Sequence, residues 1–163
     1  MLATDDTGAV LDAEFEIEQD GDSSVCEDFV TVALTEAWRS RPGRTRPKPP
    51  TLLDAERGIA MAPDVVHLVD EIPRIVVDAK YKLATGTGRY PNADHYQALA
   101  YATALEVAHT WLVYAGTAEL ARTHHVLNSP VTITTYALDL DVEPPELLAQ
   151  VQRLADSAWD AQP

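Results

Sequence analysis

Residues 64–81 constrain the fold of this chain more than any other segment. They read D-V-V-H-L-V-D-E-I-P-R-I-V-V-D-A-K-Y, two apolar runs separated by a short polar stretch that contains a proline. This pattern predicts a hairpin of two strands, residues 64–69 and 74–81. Val, Ile and Leu occur on both faces of each strand, so we expect the hairpin in the centre of a sheet that is covered on both sides.

The register of this hairpin predicts a cluster of charged side chains. A turn centred on Glu71 sets Asp64 opposite Asp78, with Cβ atoms about 5 Å apart. Alternation along the strand puts Lys80 on the same face and directs the apolar positions to the other, namely Val65, Val69, Ile75, Val77 and Ala79. Two partly buried carboxylates repel each other unless a cation lies between them, which favours a hard ion such as Mg²⁺. The alternative, a surface ion pair of Lys80 with Asp78, is made less favourable by Asp64, which follows Pro63 on the paired strand.

These residues resemble the P-D…(D/E)-x-K signature of a large nuclease superfamily. The motifs Asp78-Ala79-Lys80-Tyr81-Lys82 and Asp94-His95-Tyr96-Gln97, followed by Tyr101, are similar to those of the McrC family. That family supplies the cleavage subunit of modified-cytosine restriction systems, and the similarity covers residues 26–116. It implies an α/β restriction endonuclease-like fold, a mixed central β-sheet flanked by helices with an αβββαβ core.

The resemblance also implies a mechanism of Mg²⁺-dependent phosphodiester hydrolysis, with Mn²⁺ able to substitute. Asp64 and Asp78 would hold the metal with support from Glu27, and the backbone carbonyl of Ala79 could add a ligand. Lys80 would orient the attacking water or stabilise charge. The expected products carry a 5′ phosphate and a 3′ hydroxyl.

Glu27 has two interpretations. A helix is predicted from Val25 to about Arg39, and Ser24 and Glu27 have the S-x-x-E spacing of a capping box, in which Glu27 only satisfies a backbone N–H. Glu27 also continues the apolar stripe of Val30, Leu34 and Trp38, which faces the core. In the related nucleases an acidic residue on the first helix completes the metal site, so Glu27 is the candidate and Asp28 the weaker one.

Gln97 and Tyr101 are four residues apart on a helix predicted to begin at residues 91–92. They therefore project from one face, and a Q-x-x-x-Y pair that positions the scissile strand occurs in related recombination nucleases. Gln97 is the stronger candidate, since an inward-facing amide needs a partner. For Tyr101 a core aromatic is an equally good interpretation.

The chain has a formal net charge of -14, which argues against a DNA-binding surface. Ten of the 26 acidic residues, however, lie in residues 5–28, where there is no Lys or Arg. Residues 39–50 are basic and proline-rich and are predicted to form an irregular loop, either a phosphate-contacting segment or a solvated connection. The candidate DNA-binding residues are Arg41, Arg44, Arg46, Lys48, Lys82, Arg89 and Tyr101.

Composition predicts one domain. With 163 residues and 46% hydrophobic content, the chain can bury one core, residues 23–163, preceded by an acidic leader, residues 1–22, whose alternating pattern suggests an edge strand. A single cysteine, Cys26, excludes an internal disulfide and a self-contained iron–sulfur cluster. No apolar run reaches the roughly 20 residues of a membrane span, and no targeting leader opens the chain, so a cytoplasmic location is expected.

Further strands are predicted at residues 52–60, 110–114 and 131–140, and a last amphipathic helix from Pro144. The adjacent His124 and His125 are assigned to the surface rather than to a metal site. McrC-like proteins engage a GTP-hydrolysing AAA+ motor, so we expect such a motor as partner besides DNA. The alternatives are a non-catalytic DNA-binding or scaffold subunit of a defence complex, an interaction module, and a RecB-like recombination or repair nuclease.

Overall fold

The computed structural model describes residues 23–81, 92–116 and 121–163. Within these residues six strands form a mixed sheet in the spatial order Arg44–Pro47 (β1), Val65–Val69 (β4), Ile72–Lys80 (β5), His109–Ala115 (β6), Thr132–Leu138 (β8) and Arg122–His125 (β7), and two short strands, Thr51–Leu52 (β2) and Ala60–Met61 (β3), pair separately. The pairs β1/β4, β4/β5 and β7/β8 are antiparallel, whereas β5/β6 and β6/β8 are parallel. This confirms the predicted mixed sheet flanked by helices.

The elements follow the chain in a simple order. The helices are α1 (residues 23–37), α2 (Asn92–Leu105) and α3 (Pro144–Asp160). The first strands are β1 (Arg44–Pro47), β2 (Thr51–Leu52), β3 (Ala60–Met61) and β4 (Val65–Val69). The others are β5 (Ile72–Lys80), β6 (His109–Ala115), β7 (Arg122–His125) and β8 (Thr132–Leu138).

Each face of the sheet is covered by its own apolar core. On one face, here called the apolar face, α1 and α3 pack on the sheet through buried residues of all three layers, among them Val30, Leu34, Val77, Val113 and Leu154. On the other, here called the carboxylate face, α2 packs through Ala98, Tyr101 and Ala102 onto Val66, Val76, Leu112 and Tyr114. Burial on both sides explains why the hairpin sequence is apolar nearly throughout.

The central hairpin sets Asp64 opposite Asp78, as predicted, but its turn and register differ from the prediction. Its turn is Asp70-Glu71, whose φ angles of 52° and 65° lie in the left-handed region. That two-residue turn pairs Val69 with Ile72, and the register then shifts by one residue at a bulge, so that His67 pairs with Ile75 and Arg74 is the extra residue. Beyond the bulge Val65 pairs with Val77, and the same register carried one residue further places Asp64 opposite Asp78.

The prediction of an irregular loop over residues 39–50 is wrong in its centre. Arg44–Pro47 pair with β4 as an edge strand, a position where a proline is tolerated because one side of the strand forms no ladder. Gly43 precedes the strand with a φ of 100°, and a Cβ atom there would lie 2.0 Å from the carbonyl oxygen of Leu68. His67 contacts Thr45 Oγ1 and the Pro42 carbonyl oxygen, each at 2.9 Å, and so fastens the segment to the sheet.

Two further predictions need correction. The strand predicted over residues 52–60 is instead the hairpin β2/β3, in which Asp54 accepts hydrogen bonds from the backbone of Gly58 and Ile59 and closes the turn. The first strand of the αβββαβ order is therefore β1. Residues 122–125, where the sequence pattern predicts no strand, form β7, which pairs with β8. The strands at 110–114 and 131–140 and the last helix are confirmed.

Some predictions lie outside the described residues, namely those for the leader, residues 1–22, and for Lys82 and Arg89. Within residues 23–81, 92–116 and 121–163, no helix combines the length and apolar character needed to cross a membrane. Cys26 is a buried free thiol in the core between α1 and the sheet.

Candidate active site

Asp64 and Asp78 form the centre of the candidate site. Asp64 immediately precedes β4 and is 7% exposed, and Asp78 lies on β5 and is 3% exposed. The Asp64 carboxylate is held at the strand end because its Oδ2 atom accepts a hydrogen bond of 2.8 Å from the backbone N–H of Ala79. Ala79 thus contacts the site through its N–H, while its side chain packs in the opposite core.

The two carboxylates perturb each other's proton affinity. Burial, the Asp78 charge and, more weakly, Glu27 raise the pKa of Asp64 to about 7, although the hydrogen bond from Ala79 opposes the shift. Burial also raises the pKa of Asp78 above its ordinary value, against the effect of Lys80. A buried pair of this kind retains a proton near neutrality unless a further positive charge is supplied.

Lys80 lies beside Asp78 on the carboxylate face. Its Nζ atom is 2.5 Å from Asp78 Oδ2, in an ion pair that lacks the geometry of a hydrogen bond. The same Nζ donates a hydrogen bond of 2.7 Å to Gln97 Oε1. The structure therefore brings together Asp64, Asp78, Lys80 and Gln97, although the Gln97 side chain is exposed rather than inward-facing as predicted.

Tyr101 is placed in the core, as the second of its two interpretations predicts. It is 2% exposed, so its ring offers no surface to a nucleic acid. Its hydroxyl donates a hydrogen bond of 3.4 Å to the carbonyl oxygen of Ala62. Burial and the charges of Asp78, Asp64 and Glu27 raise the Tyr101 pKa, which places the hydroxyl within electrostatic reach of the carboxylates.

Glu27 approaches the pair but is held by other partners. Ser24 already lies within α1, so the capping-box interpretation does not apply. Instead the Glu27 carboxylate accepts hydrogen bonds from Lys48 Nζ at 2.9 Å and from Ser23 Oγ at 3.2 Å. Among the described residues no three His, Cys, Asp or Glu side chains converge to hold a metal ion, so Asp64 and Asp78 stand as a pair. Asp28 is exposed.

Most of the basic candidates in residues 41–48 form ion pairs. Arg41 contacts Asp156 at 3.4 Å and lies 5.2 Å from the ring centroid of Trp159, Arg44 pairs with Glu71, and Lys48 pairs with Glu27. Arg46 is exposed and has no ion pair among the described residues. Only Arg46 therefore offers an uncompensated charge on β1, while the others would have to exchange partners to bind phosphate.

A buried polar pair at the start of α2 was not anticipated from the sequence. Tyr114 on β6 donates a hydrogen bond of 3.0 Å to Asp94 Oδ2, and both side chains are buried. Tyr114 lies beside Lys80 in the parallel register, and Asp94 lies one turn before Gln97. The pair therefore fixes α2 where Gln97 meets Lys80. In the sequence Asp94 is the first residue of the Asp94-His95-Tyr96-Gln97 motif and an acid near the start of a helix, but neither feature names Tyr114 as its partner, and solvent-exposed first-turn acids have the same position.

The donor set suits a hard divalent cation. Asp78 Oδ2 is buried without a hydrogen-bond partner among the described residues, and the Lys80 ammonium, 2.5 Å away, is the positive charge that offsets it. Carboxylate oxygens are the ligands that Mg²⁺ takes from proteins, usually one or two of them with several waters. Two adjacent aspartates match that requirement, and Glu27 lies near enough to raise the pKa of Asp64.

Comparisons with known proteins show the family to which this chain belongs. Residues 23–115, more than half of the chain, match the family described as McrBC 5-methylcytosine restriction system component. A search of curated proteins finds no match. Five chains of solved structures are similar.

One of these chains comes from a refined half-complex of a tetradecameric assembly of Thermococcus gammatolerans McrB AAA+ hexamers with bound McrC. It shares this fold with a TM-score of 0.63 at 13% sequence identity, over 83% of the present chain and 33% of the other. The chain thus spans about a third of the length of that relative. On the match over residues 23–115, the chain belongs to the family of McrBC 5-methylcytosine restriction system components, as the resemblance to McrC predicts.

Proposed function

We propose that this chain is a metal-dependent DNA endonuclease with a restriction endonuclease-like fold, the cleavage component of a modification-dependent restriction system. The observation that carries the proposal is the buried pair of Asp64 and Asp78 with Lys80 against it. Buried like charges are destabilising, and their retention beside a lysine is typical of a site where charge is used in catalysis. Family membership supports the assignment to a restriction system.

In the proposed reaction Asp64, Asp78 and, after a change of partner, Glu27 would hold Mg²⁺ or Mn²⁺. When bound, the ion would activate the attacking water and offset the charge that develops on the scissile phosphate. The Ala79 N–H keeps the Asp64 carboxylate directed at the site, which limits the side-chain freedom that must be lost on binding. The Ala79 carbonyl remains a proposed further ligand.

Lys80 is proposed to act on the water and the phosphate. Its ammonium lies against Asp78 and is held from the other side by Gln97, so it is fixed in a mostly buried position. From there it can orient a water molecule or stabilise negative charge on a phosphate oxygen. Tyr101 lies in the core, where its hydroxyl donates to the Ala62 carbonyl oxygen, and no contact with DNA is proposed for it. Arg46 is proposed to contact phosphate.

The proposed partner is an AAA+ motor. The similar chain of known structure comes from an assembly of McrB AAA+ hexamers with bound McrC, and the present fold covers about a third of it. The net charge of -14 also favours delivery of DNA by another subunit, because a strongly acidic chain attracts a polyanion weakly. We propose that recognition of the modified cytosine resides in that partner.

The decisive experiment is a cleavage assay on methylated and unmethylated plasmid, with Mg²⁺ or Mn²⁺, in the presence and absence of an AAA+ GTPase from the same restriction system. The variants are Asp78→Asn, Lys80→Ala and, as a control, Asp54→Asn, which alters a carboxylate of the β2/β3 turn. We expect the first two to lose cleavage and the third to retain it. Equal loss of supercoiled plasmid with all proteins would contradict the active-site assignment.

A further inference from the structure

Lys48 connects two parts of the candidate site. Its Nζ atom donates a hydrogen bond of 2.9 Å to Glu27 Oε2 on α1. Its backbone N–H donates a hydrogen bond of 2.9 Å to the main-chain oxygen of Asp64. The residue adopts a left-handed φ of 41°, uncommon for a side chain of this kind, and so is held in a defined place directly after β1. Lys48 thus connects Glu27 on α1 with Asp64, one of the two aspartates at the centre of the site.

We propose that Lys48 is a positioning residue that couples phosphate binding to the placement of Glu27. In the free protein its ammonium binds the Glu27 carboxylate, which does not converge with Asp64 and Asp78 on a common site. A phosphate group of DNA that binds the ammonium releases Glu27, which then completes the cation site as a third carboxylate. The inference rests on the proposed nuclease function and adds an order of events to it.

The charges around Lys48 are arranged for such an exchange. Its side chain is 48% exposed, so a phosphate can reach it, whereas that of Glu27 is 23% exposed. A lysine ammonium is a mobile point charge that can change partners without the fixed geometry that a guanidinium requires. The neighbouring Arg46 is exposed on β1, two residues earlier, and provides a second contact for a phosphate backbone.

Glu27 lies close enough to the pair for its charge to raise the pKa of both Asp64 and Tyr101. The Lys48 ammonium is bound to the Glu27 carboxylate, and the Lys48 backbone N–H is bound to the main-chain oxygen of Asp64. An ammonium in this position repels a divalent cation and occupies one of its potential ligands. Lys48 should therefore weaken cation binding when no DNA is present.

The first test is a calorimetric titration of Mg²⁺ into the DNA-free chain. Lys48→Met keeps most of the side-chain length without its charge, Lys48→Arg keeps the charge, and Arg153→Met breaks an ion pair of the same 2.9 Å length on α3. We expect Lys48→Met to bind Mg²⁺ at least about 5-fold more tightly than the parent, within the usual range of coupling between sites. Lys48→Arg and Arg153→Met should match the parent. Melting of each variant without metal identifies any loss of folding.

The second test adds a short DNA duplex, with Lys80→Ala as a common background that prevents turnover. DNA should increase the Mg²⁺ affinity of this protein, and Mg²⁺ should increase its DNA affinity by the same factor. Adding Lys48→Met should reduce that factor several-fold. Adding Arg46→Met should weaken DNA binding and leave the factor unchanged.

The outcomes separate the inference from the function on which it rests. Mg²⁺ binding by the parent with no effect of Lys48→Met on the DNA-free affinity or on the coupling factor overturns the role of Lys48 and leaves the nuclease proposal intact. Absence of Mg²⁺ binding by the parent, with and without DNA, overturns both.

Discussion

The two faces of β5 differ in what their burial achieves. Toward α1 and α3 the strand presents Val77, 0% exposed, within a continuous apolar core. Toward α2 it presents Asp78, 3% exposed and next in sequence, against Asp64 and Lys80. The same degree of burial stabilises the fold on one face and opposes it on the other, because a buried carboxylate loses its hydration. Burial alone therefore does not distinguish a structural position from a functional one.

The largest effect should come from Asp78→Asn, which removes a charge from the carboxylate face at nearly constant volume. We expect DNA cleavage to fall by about 10³-fold, or about 4 kcal/mol of transition-state stabilisation. The melting temperature should stay the same or rise, since a buried charge is lost. Kinetics and thermal melting on one preparation measure both. If this variant retains cleavage or loses much stability, Asp78 is a structural residue like Val77, and the two faces of β5 do not differ in role.

The next effect is a dependence of stability on pH. The folded-state pKa of Asp64, about 7, lies above its ordinary value of 3.8, so the folded state binds this proton more tightly than the unfolded state. The resulting stabilisation is fully present below about pH 4 and is lost as the pH rises to about 7. Asp64→Asn lacks this titration, so its melting temperature should rise relative to the parent's between pH 5 and 8.

Saturating Mg²⁺ sharpens this second prediction. A bound cation replaces the proton, so the parent at pH 8 should regain melting temperature on addition of Mg²⁺ and Asp64→Asn should respond much less. If the difference in melting temperature between the two proteins is constant from pH 5 to 8 and does not change with Mg²⁺, the charged form of Asp64 does not destabilise the folded state.

On the apolar face, Val77→Ala should lower the free energy of unfolding by about 2 kcal/mol, because it removes two buried methyl groups and leaves a small cavity. Cleavage at a temperature where the variant is folded should stay within about twofold of the parent. Denaturant unfolding together with the plasmid assay tests this, and a loss of activity beyond the loss of folded protein would mean that the two faces are mechanically linked.

The smallest effect should come from Gln97→Ala. Gln97 is exposed but accepts the hydrogen bond from Lys80, so its removal frees the ammonium without opening the core. We expect a decrease in cleavage of about 10-fold and no change in melting temperature. Tyr96→Ala, an exposed neighbour on α2, is the control. If both variants have the same activity, Gln97 does not help to position Lys80, and the ion pair with Asp78 is sufficient.

Much of this arrangement follows from local pattern. Alternation along 64–81 assigns Asp64, Asp78 and Lys80 to one face, and the stripe of Val30, Leu34 and Trp38 orients α1. Other features depend on contacts between distant residues. The edge strand β1 is held by His67 and by the close approach of Gly43 to Leu68. Neither contact can be predicted from the composition of residues 39–50, because both partners lie on β4. The partner of Glu27 could not be predicted either, since Lys48 is 21 residues away and reaches it only because β1 pairs with β4.

The bulge at Arg74 restricts how the number of residues between Asp64 and Asp78 can change. Side chains alternate with a period of two, so adding or deleting one residue between Asp64 and Asp78 would direct one carboxylate to the opposite layer unless a second irregularity restored it. Insertions of two residues at the Asp70-Glu71 tip lengthen both strands and keep the carboxylates together. The spacing of the two acids can thus vary in even steps, and a search for similar sites should allow for both an even step and a displaced bulge.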